Sequence, residues 1–515
     1  MATARTMTLA RRGKGGTSRL EWATGKPLSH GARTALGIAA VVLLAVGLIQ
    51  GIALNRVLLA LRVVWAFLVL AAAAVAWPAF CYRRAIVRDS AHKAAWASAA
   101  ALGCLAAIGL IAVYGTFHAY MADRAMAASI TQSSAPIAAY DTRAPFVVAQ
   151  AQTAGHVTAN GDVEQTTYLP ASQRFTAGVR GRGLTEGYVQ VTDLALDASG
   201  QATGGTCEPA ALVPRWEGWF GASLSRAVIR EAGLGTWANP ADSYMACLDG
   251  NATLFVPVKR FAGVLFPYEV PAGLVIVDGA NGQARFEANV PQGRYPGPVY
   301  PMSLSDAQRA STASLGTWWD RQRGRVGYQA TKDNDAANAA NSGNFNLHRT
   351  DGSGDDLVTP LSLIGQARSI TAVGVVASNV VQGGRLNPYV IAELPQARQS
   401  NSAVVDRLRA DYGDLPQWAA GMSVYEIAPS SSASWVATLG MRQAVVYRAI
   451  INADSSSCLY TVTGEKVRCS GETPSSTQPG TVSPGADLTT LTDAQLAQLL
   501  QAVSDEAARR LQKTP

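Results

Sequence analysis

Three runs of 20 or 21 residues without Asp, Glu, Lys or Arg, at 35–54, 63–82 and 94–114, follow one another in the first quarter of this 515-residue chain. Each is long enough to cross ~30 Å of hydrocarbon at ~1.5 Å per helical residue. The pattern predicts three N-terminal transmembrane helices and excludes a chain that is soluble throughout. A cleaved signal peptide would carry an apolar core of about 7–15 residues with a small-residue site close behind it. Run 35–54 is longer and has no such site. Ala125-Met126-Ala127 fits a small-x-small site, but reads better as part of an Ala-rich linker.

Charge sets the orientation. Residues 1–33 hold seven basic groups and the loop after the second run holds Arg83, Arg84, Arg88 and Lys93, whereas only Arg56 and Arg62 lie between the first two runs. Positive groups stay on the cytoplasmic side. The tail 1–33 and the second loop are therefore expected inside, and everything after about residue 120 outside a bacterial cytoplasmic membrane. Residues 1–119 carry 13 basic and two acidic residues, a balance of +11, and residues 120–515 carry 30 and 34, a balance of −4. The net +7 thus belongs to the anchor, and the acidic remainder disfavours nucleic acid. Only 15% of residues are charged and 48% are hydrophobic, against ~25% charged in a soluble domain.

Gln50 is the one amide within a run, and no Asp, Glu, Lys or Arg lies in any of them, which disfavours an ion or proton pathway. Gly47 and Gly51, and Ala99, Gly103 and Ala107, recur every four residues. Such small-residue stripes let helices approach closely. They are read as packing the spans of one chain together, with homo-oligomer contact as the alternative.

Residues 121–150, rich in Ala, Ser, Thr and Gln, are expected to form a stalk. Beyond them the pattern is a β-rich α+β domain. Residues 187–192, 253–258 and 273–278 read as strands, the last returning through Gly279-Ala280-Asn281-Gly282 as a hairpin. Residues 223–232 and 402–412 read as helices ended by Gly233 and Gly413. Strands with a central Pro, a hairpin and a helix recur at 253–312 and 357–412, which suggests two similar units, 151–312 and 313–469. Residues 332–354, dense in Asn, Asp and Gly, read as an exposed loop. A Ser/Thr/Pro/Gly linker (470–489) and an amphipathic helix (490–515) with a Thr492/Gln495 capping box complete the chain.

Four cysteines fall in the outer part, and an oxidising compartment favours their pairing. A Thr463-Gly464 turn would set Cys458 opposite Cys469, leaving Cys207 for Cys247. Zinc is the rival reading, without close ligand spacing to support it.

No phosphate loop, HExxH or CxxC occurs, and Ser90-Ala91-His92-Lys93 lies in the cytoplasmic loop, away from any acyl-enzyme context. His156 and His348 are the two outer histidines, and neither has a nucleophile elbow beside it. Asp351, Asp355 and Asp356 read as a solvated turn, with calcium as the alternative; the EF-hand spacing is not met. Trp216 with Trp219, and Trp318 with Trp319, are candidate contacts for a partner or a glycan, and a Trp-rich core explains them equally well. No cofactor is implied. An Arg:Lys ratio of 36 to 7 fits a GC-rich bacterium.

The expected protein is thus a membrane-anchored α+β chain, non-enzymatic, whose extracytoplasmic domain meets protein partners in an envelope assembly such as a secretion, conjugation or cell-surface complex. A cell-wall glycan-binding protein or enzyme is the second reading. An extracytoplasmic sensor is the third, weakened by the short cytoplasmic tail.

Overall fold

A computed structural model describes residue 41 and residues 51–87, 90–331, 345–365 and 369–472. The basic tail, most of run 35–54 with Gly47, the linker 470–489 beyond residue 472 and the helix expected at 490–515 lie outside the described residues. The architecture is α+β, with two long apolar helices leading into a large β-rich domain.

The helices are α1 (Ile52–Val87) and α2 (Ser90–Ala127). They contain the second and third apolar runs and extend beyond them. At 36 residues, α1 is ~54 Å long, well over the hydrocarbon thickness. The segment 55–62 between the first two apolar runs is helical and belongs to α1; it contains neither Gly nor Pro to stop propagation. Gly51 is not inside a helix. It stands before α1 with φ +67°, a conformation natural to glycine, and its carbonyl accepts from Asn55 N at 2.9 Å. Further along, Trp77 lies over Gly103, where any Cβ would collide with the indole, and Phe67 lies over Gly115. These pairs make α1 and α2 an antiparallel hairpin. Ala99, Gly103 and Ala107 are half-buried, Gly103 against Trp77 of α1, while Leu102, Leu105 and Ile108 point outward.

α2 runs straight into the domain. Tyr120 donates to the Gly316 carbonyl at 3.0 Å, and Asp123 pairs with Arg321. Residues 128–150 then fold into the core instead of forming a stalk. Ile130–Ser133 adds in parallel to Tyr389–Arg398, and Tyr140 is buried with its hydroxyl on Asp356 Oδ2 at 3.0 Å. Small polar residues dominate the segment's composition and hide the two aromatics, Tyr140 and Phe146, that anchor it.

Four larger sheets build the domain. The first orders Ile130–Ser133, Tyr389–Arg398, Ile370–Ala377, Asp355–Leu363 and Tyr328–Ala330, with Phe345–His348 also on Asp355–Leu363. Phe345–His348 falls within the expected loop 332–354; the alternation of Phe345 and Leu347 inward makes it a strand. The second centres on the hairpin Asn251–Ala262 and Tyr268–Val277, extended by Ala284–Glu287 through the expected 279–282 turn. The third comprises Arg174–Arg180, Tyr188–Leu196 and Ala202–Cys207 with two short flanking strands, and the fourth is the meander from Ser423–Pro429 to Lys466–Cys469. Helices Leu224–Ala232 and Asn401–Tyr412 form where expected. The main core joins Leu169, Phe255, Leu274 and Tyr300 to Leu357, Leu361 and Tyr389. It therefore takes residues from both sides of position 312. A second core holds the meander against the first sheet through Phe345, Val373, Tyr412 and Trp435.

Both disulfides pair as expected. Cys458 and Cys469 are directly opposed in the meander, with Cα atoms 3.9 Å apart, across a four-residue loop containing Thr463 and Gly464. Cys207–Cys247, with Cα atoms 6.0 Å apart, ties the third sheet to the second.

Candidate interaction site

A concavity of ~1520 Å³ opens where the first turns of α1 meet the second and third sheets. Asn55 fixes this junction. Its Nδ2 donates to the Thr236 carbonyl at 2.8 Å and its Oδ1 accepts from Gly235 N at 2.7 Å. The cleft walls carry Glu164, Tyr168, Trp216, Trp237, Asp242 and Tyr300. Burial pushes the Glu164 carboxyl above the ordinary range, partly offset by the Tyr188 hydroxyl donating to it at 2.7 Å. Burial likewise raises Asp242, opposed by Ser303, whose N and Oγ donate to it. These acids are structural anchors of the wall. Trp216 is fixed too, its Nε1 donating to Ser243 Oγ at 2.9 Å.

The lip of the cleft is the loop from Arg215 to Ala222. The buried Arg215 guanidinium donates to the carbonyls of Gly183, Glu186 and Trp216 at 2.9, 2.9 and 3.0 Å, and Trp219 N donates to Leu184 O at 2.8 Å. Glu217 and Phe220 stand at φ +61° and +50°. A non-glycine residue in that region costs about 1–3 kcal/mol and persists only where its surroundings hold it. Held this way, Trp219 and Phe220 are 50% and 54% exposed, their rings edge to face. Leu184 and Leu212, also exposed, flank them: Leu184 through its bond to Trp219, and Leu212 against Gly221. Trp219 and Phe220 thus stand exposed on a loop pinned by these hydrogen bonds, with the exposed Leu184 and Leu212 beside it. Arg180, Arg182, Asp162 and Glu217 rim it in loose ion pairs of 3.4 to 3.8 Å.

Protein-family models, curated proteins and solved structures were compared with the chain, and none matches it.

The four expected tryptophans fall into two places. Trp318 and Trp319 lie on the short helix Trp318–Gln322 beside the end of α2, away from the cleft lining. Trp319 is exposed, with Arg323 5.9 Å over its ring, whereas the Trp318 indole N–H is buried and has no hydrogen-bond partner among the described residues. The three aspartates do not converge. Asp356 is buried and bidentate with Arg349 at 2.6 and 2.8 Å, Asp355 Oδ1 is hydrogen-bonded with His348 Nδ1 at 2.6 Å, and Asp351 caps its own turn by accepting from Ser353 N. A cation would have to displace these partners, so the geometry is that of ion pairs and not of a calcium loop. Among the described residues, no group of three or more His, Cys, Asp and Glu is arranged to hold a metal.

Leu184 and Leu212 escaped the sequence reading. Both are single leucines in turn-rich contexts, Gly183-Leu184-Thr185 and Ala211-Leu212-Val213-Pro214, where isolated apolar residues carry no periodicity.

Proposed function

We propose that the chain is a bacterial envelope protein, anchored in the cytoplasmic membrane with its disulfide-bonded domain outside, that serves as a non-enzymatic docking module for another envelope protein. The observation that carries this reading is the apolar patch of Leu184, Leu212, Trp219 and Phe220. Exposed aromatic and aliphatic anchors surrounded by weakly paired charges resemble the energetic centre of a protein interface. A loop that holds two non-glycine residues in the left-handed region is stiff, which lowers the entropy lost on binding. The adjoining cleft enlarges the surface toward the ~800 Å² per partner of a stable contact.

The glycan reading rests on the exposed Trp219 ring near Arg180 and Asp162, and one experiment separates the two. Solubilised membranes containing wild type or Trp219→Ser/Phe220→Ser protein are resolved by native electrophoresis, and the same proteins are sedimented with peptidoglycan. The docking reading predicts a large wild-type complex that collapses to the size of the free protein in the double variant, with no peptidoglycan binding by either. Peptidoglycan binding that depends on Trp219 would transfer the site to a glycan. Identical complexes for both proteins would remove the patch as the docking surface.

A further inference from the structure

Two long paired strands, Asn251–Ala262 and Tyr268–Val277, project a tip reading Gly263-Val264-Leu265-Phe266-Pro267. Hairpin tips ordinarily carry Gly, Asn, Asp or Ser, residues that suit both the turn and water. Here Val264 is 73% and Leu265 54% exposed.

The tip is fastened to the membrane helices. Arg62 Nη2 donates to the Gly263 carbonyl at 3.5 Å, Trp65 Nε1 to Val264 O at 3.1 Å, and the Tyr114 hydroxyl to Leu265 O at 3.2 Å. Three successive carbonyls thus engage both helices at one level. Phe266 completes the contact among Tyr114, Phe117 and His118, with ring centroids 5.7 to 6.3 Å away.

That level can be placed along the membrane normal. Between Arg62 and Arg83, α1 has 20 residues without a charge, ~30 Å of helix and so one hydrocarbon thickness. Arg83 begins the basic loop, so Arg62, Trp65 and Tyr114 mark the opposite boundary, where Trp, Tyr and snorkelling Arg concentrate. Leu61, Val64 and Leu68 of α1, exposed at the same height, belong to the lipid-facing surface. Val264 and Leu265 continue that surface.

We propose that the 263–266 hairpin tip inserts Val264 and Leu265 into the bilayer at the outer boundary of the acyl chains. It would be a membrane contact beyond α1 and α2, holding the domain at a fixed attitude to the membrane. The inference rests on α1 and α2 being membrane spans, and the test separates the two claims. In full-length protein with Cys81→Ala and Cys104→Ala, single cysteines replacing Val264, Leu105 or Thr463 carry an environment-sensitive fluorophore. Leu105 is an exposed position near the middle of the α2 span, and Thr463 an exposed one on the remote meander. The protein is reconstituted in vesicles of phosphatidylcholine and phosphatidylglycerol, with quenching by doxyl-lipid or by aqueous iodide.

Position 264 is expected to follow 105, with several-fold stronger lipid quenching and weaker iodide quenching than 463. Lipid quenching at 105 with 264 behaving like 463 would overturn the inserted tip and leave the spans standing. Iodide quenching at 105 as strong as at 463 would overturn the spans, and the tip with them.

Discussion

Among single residues, Arg143 and Glu426 bear the greatest electrostatic risk. They are joined at 2.6 Å with both side chains 3% exposed, and the guanidinium also lies over Phe146 at 4.4 Å. Removing one partner of such a pair strands a buried charge, at a cost of about 3–5 kcal/mol, whereas replacing both by apolar groups of similar volume is far milder. Arg143→Met should therefore lower the denaturation midpoint sharply, and adding Glu426→Leu should restore most of the loss, as read by urea unfolding in detergent. Equal losses in the single and double variants would deny the pair this role. None of this was legible beforehand: Thr142-Arg143-Ala144-Pro145 reads as linker, and its partner is 283 positions away. The buried acids add a pH dependence. Burial raises the carboxyls of Glu164, Asp242, Asp355 and Glu426 above their unfolded values. Their stabilising contribution is full below the ordinary carboxylate pKa of about 4 and is lost as pH rises through the raised folded values. Asp197 and Asp414, lowered chiefly by hydrogen bonds to Ser199 and Arg468, act oppositely below about pH 4. Thermal unfolding should accordingly move to higher temperature between about pH 7.5 and about pH 5. A midpoint that falls over that interval would contradict the assignment.

At the scale of elements, what the sequence exposes is local pattern. Apolar length announces α1 and α2, the 279–282 turn announces its hairpin, and the spacing of Cys458 and Cys469 about Thr463-Gly464 announces a cross-strand disulfide. Boundaries fail where tertiary contact decides them. Asn55 continues α1 because its amide is satisfied by Gly235 and Thr236, and Phe345–His348 becomes a strand because Val358 and Leu357 offer it a register. Trp216 and Trp219 of the lip were legible as candidate contacts, but Leu184, Leu212 and the 263–266 tip were not, because what each does depends on what lies opposite. The two disulfides should differ in weight. Cys207–Cys247, with a separation of 40 residues, constrains the unfolded chain by roughly 4 kcal/mol on a loop-entropy basis, and it joins two sheets. Cys458–Cys469 closes only 11 residues within one meander. Cys207→Ala/Cys247→Ala should thus lower the unfolding midpoint more than Cys458→Ala/Cys469→Ala; the reverse order would show that the meander is the weaker link.

Taken whole, the molecule joins a hairpin of two long apolar helices directly to a folded, disulfide-bonded domain. The division of charge into +11 before residue 120 and −4 after it already separated anchor from domain. What it could not convey is that no stalk lies between them, since α2 passes through Tyr120 and Asp123 directly into the first sheet. Nor could it reveal that one core spans position 312. A surface held this firmly relative to the membrane suits a module that positions a neighbour, with the Trp219–Phe220 lip as its point of contact. The most direct test is photo-crosslinking of the full-length protein in its native membrane, with benzoylphenylalanine in place of Trp219, of Phe220 or of the remote, exposed Thr463. A discrete adduct from 219 and 220, absent at 463, is the predicted result. No adduct from either lip position, or the same diffuse pattern from all three, would contradict a docking function for this surface.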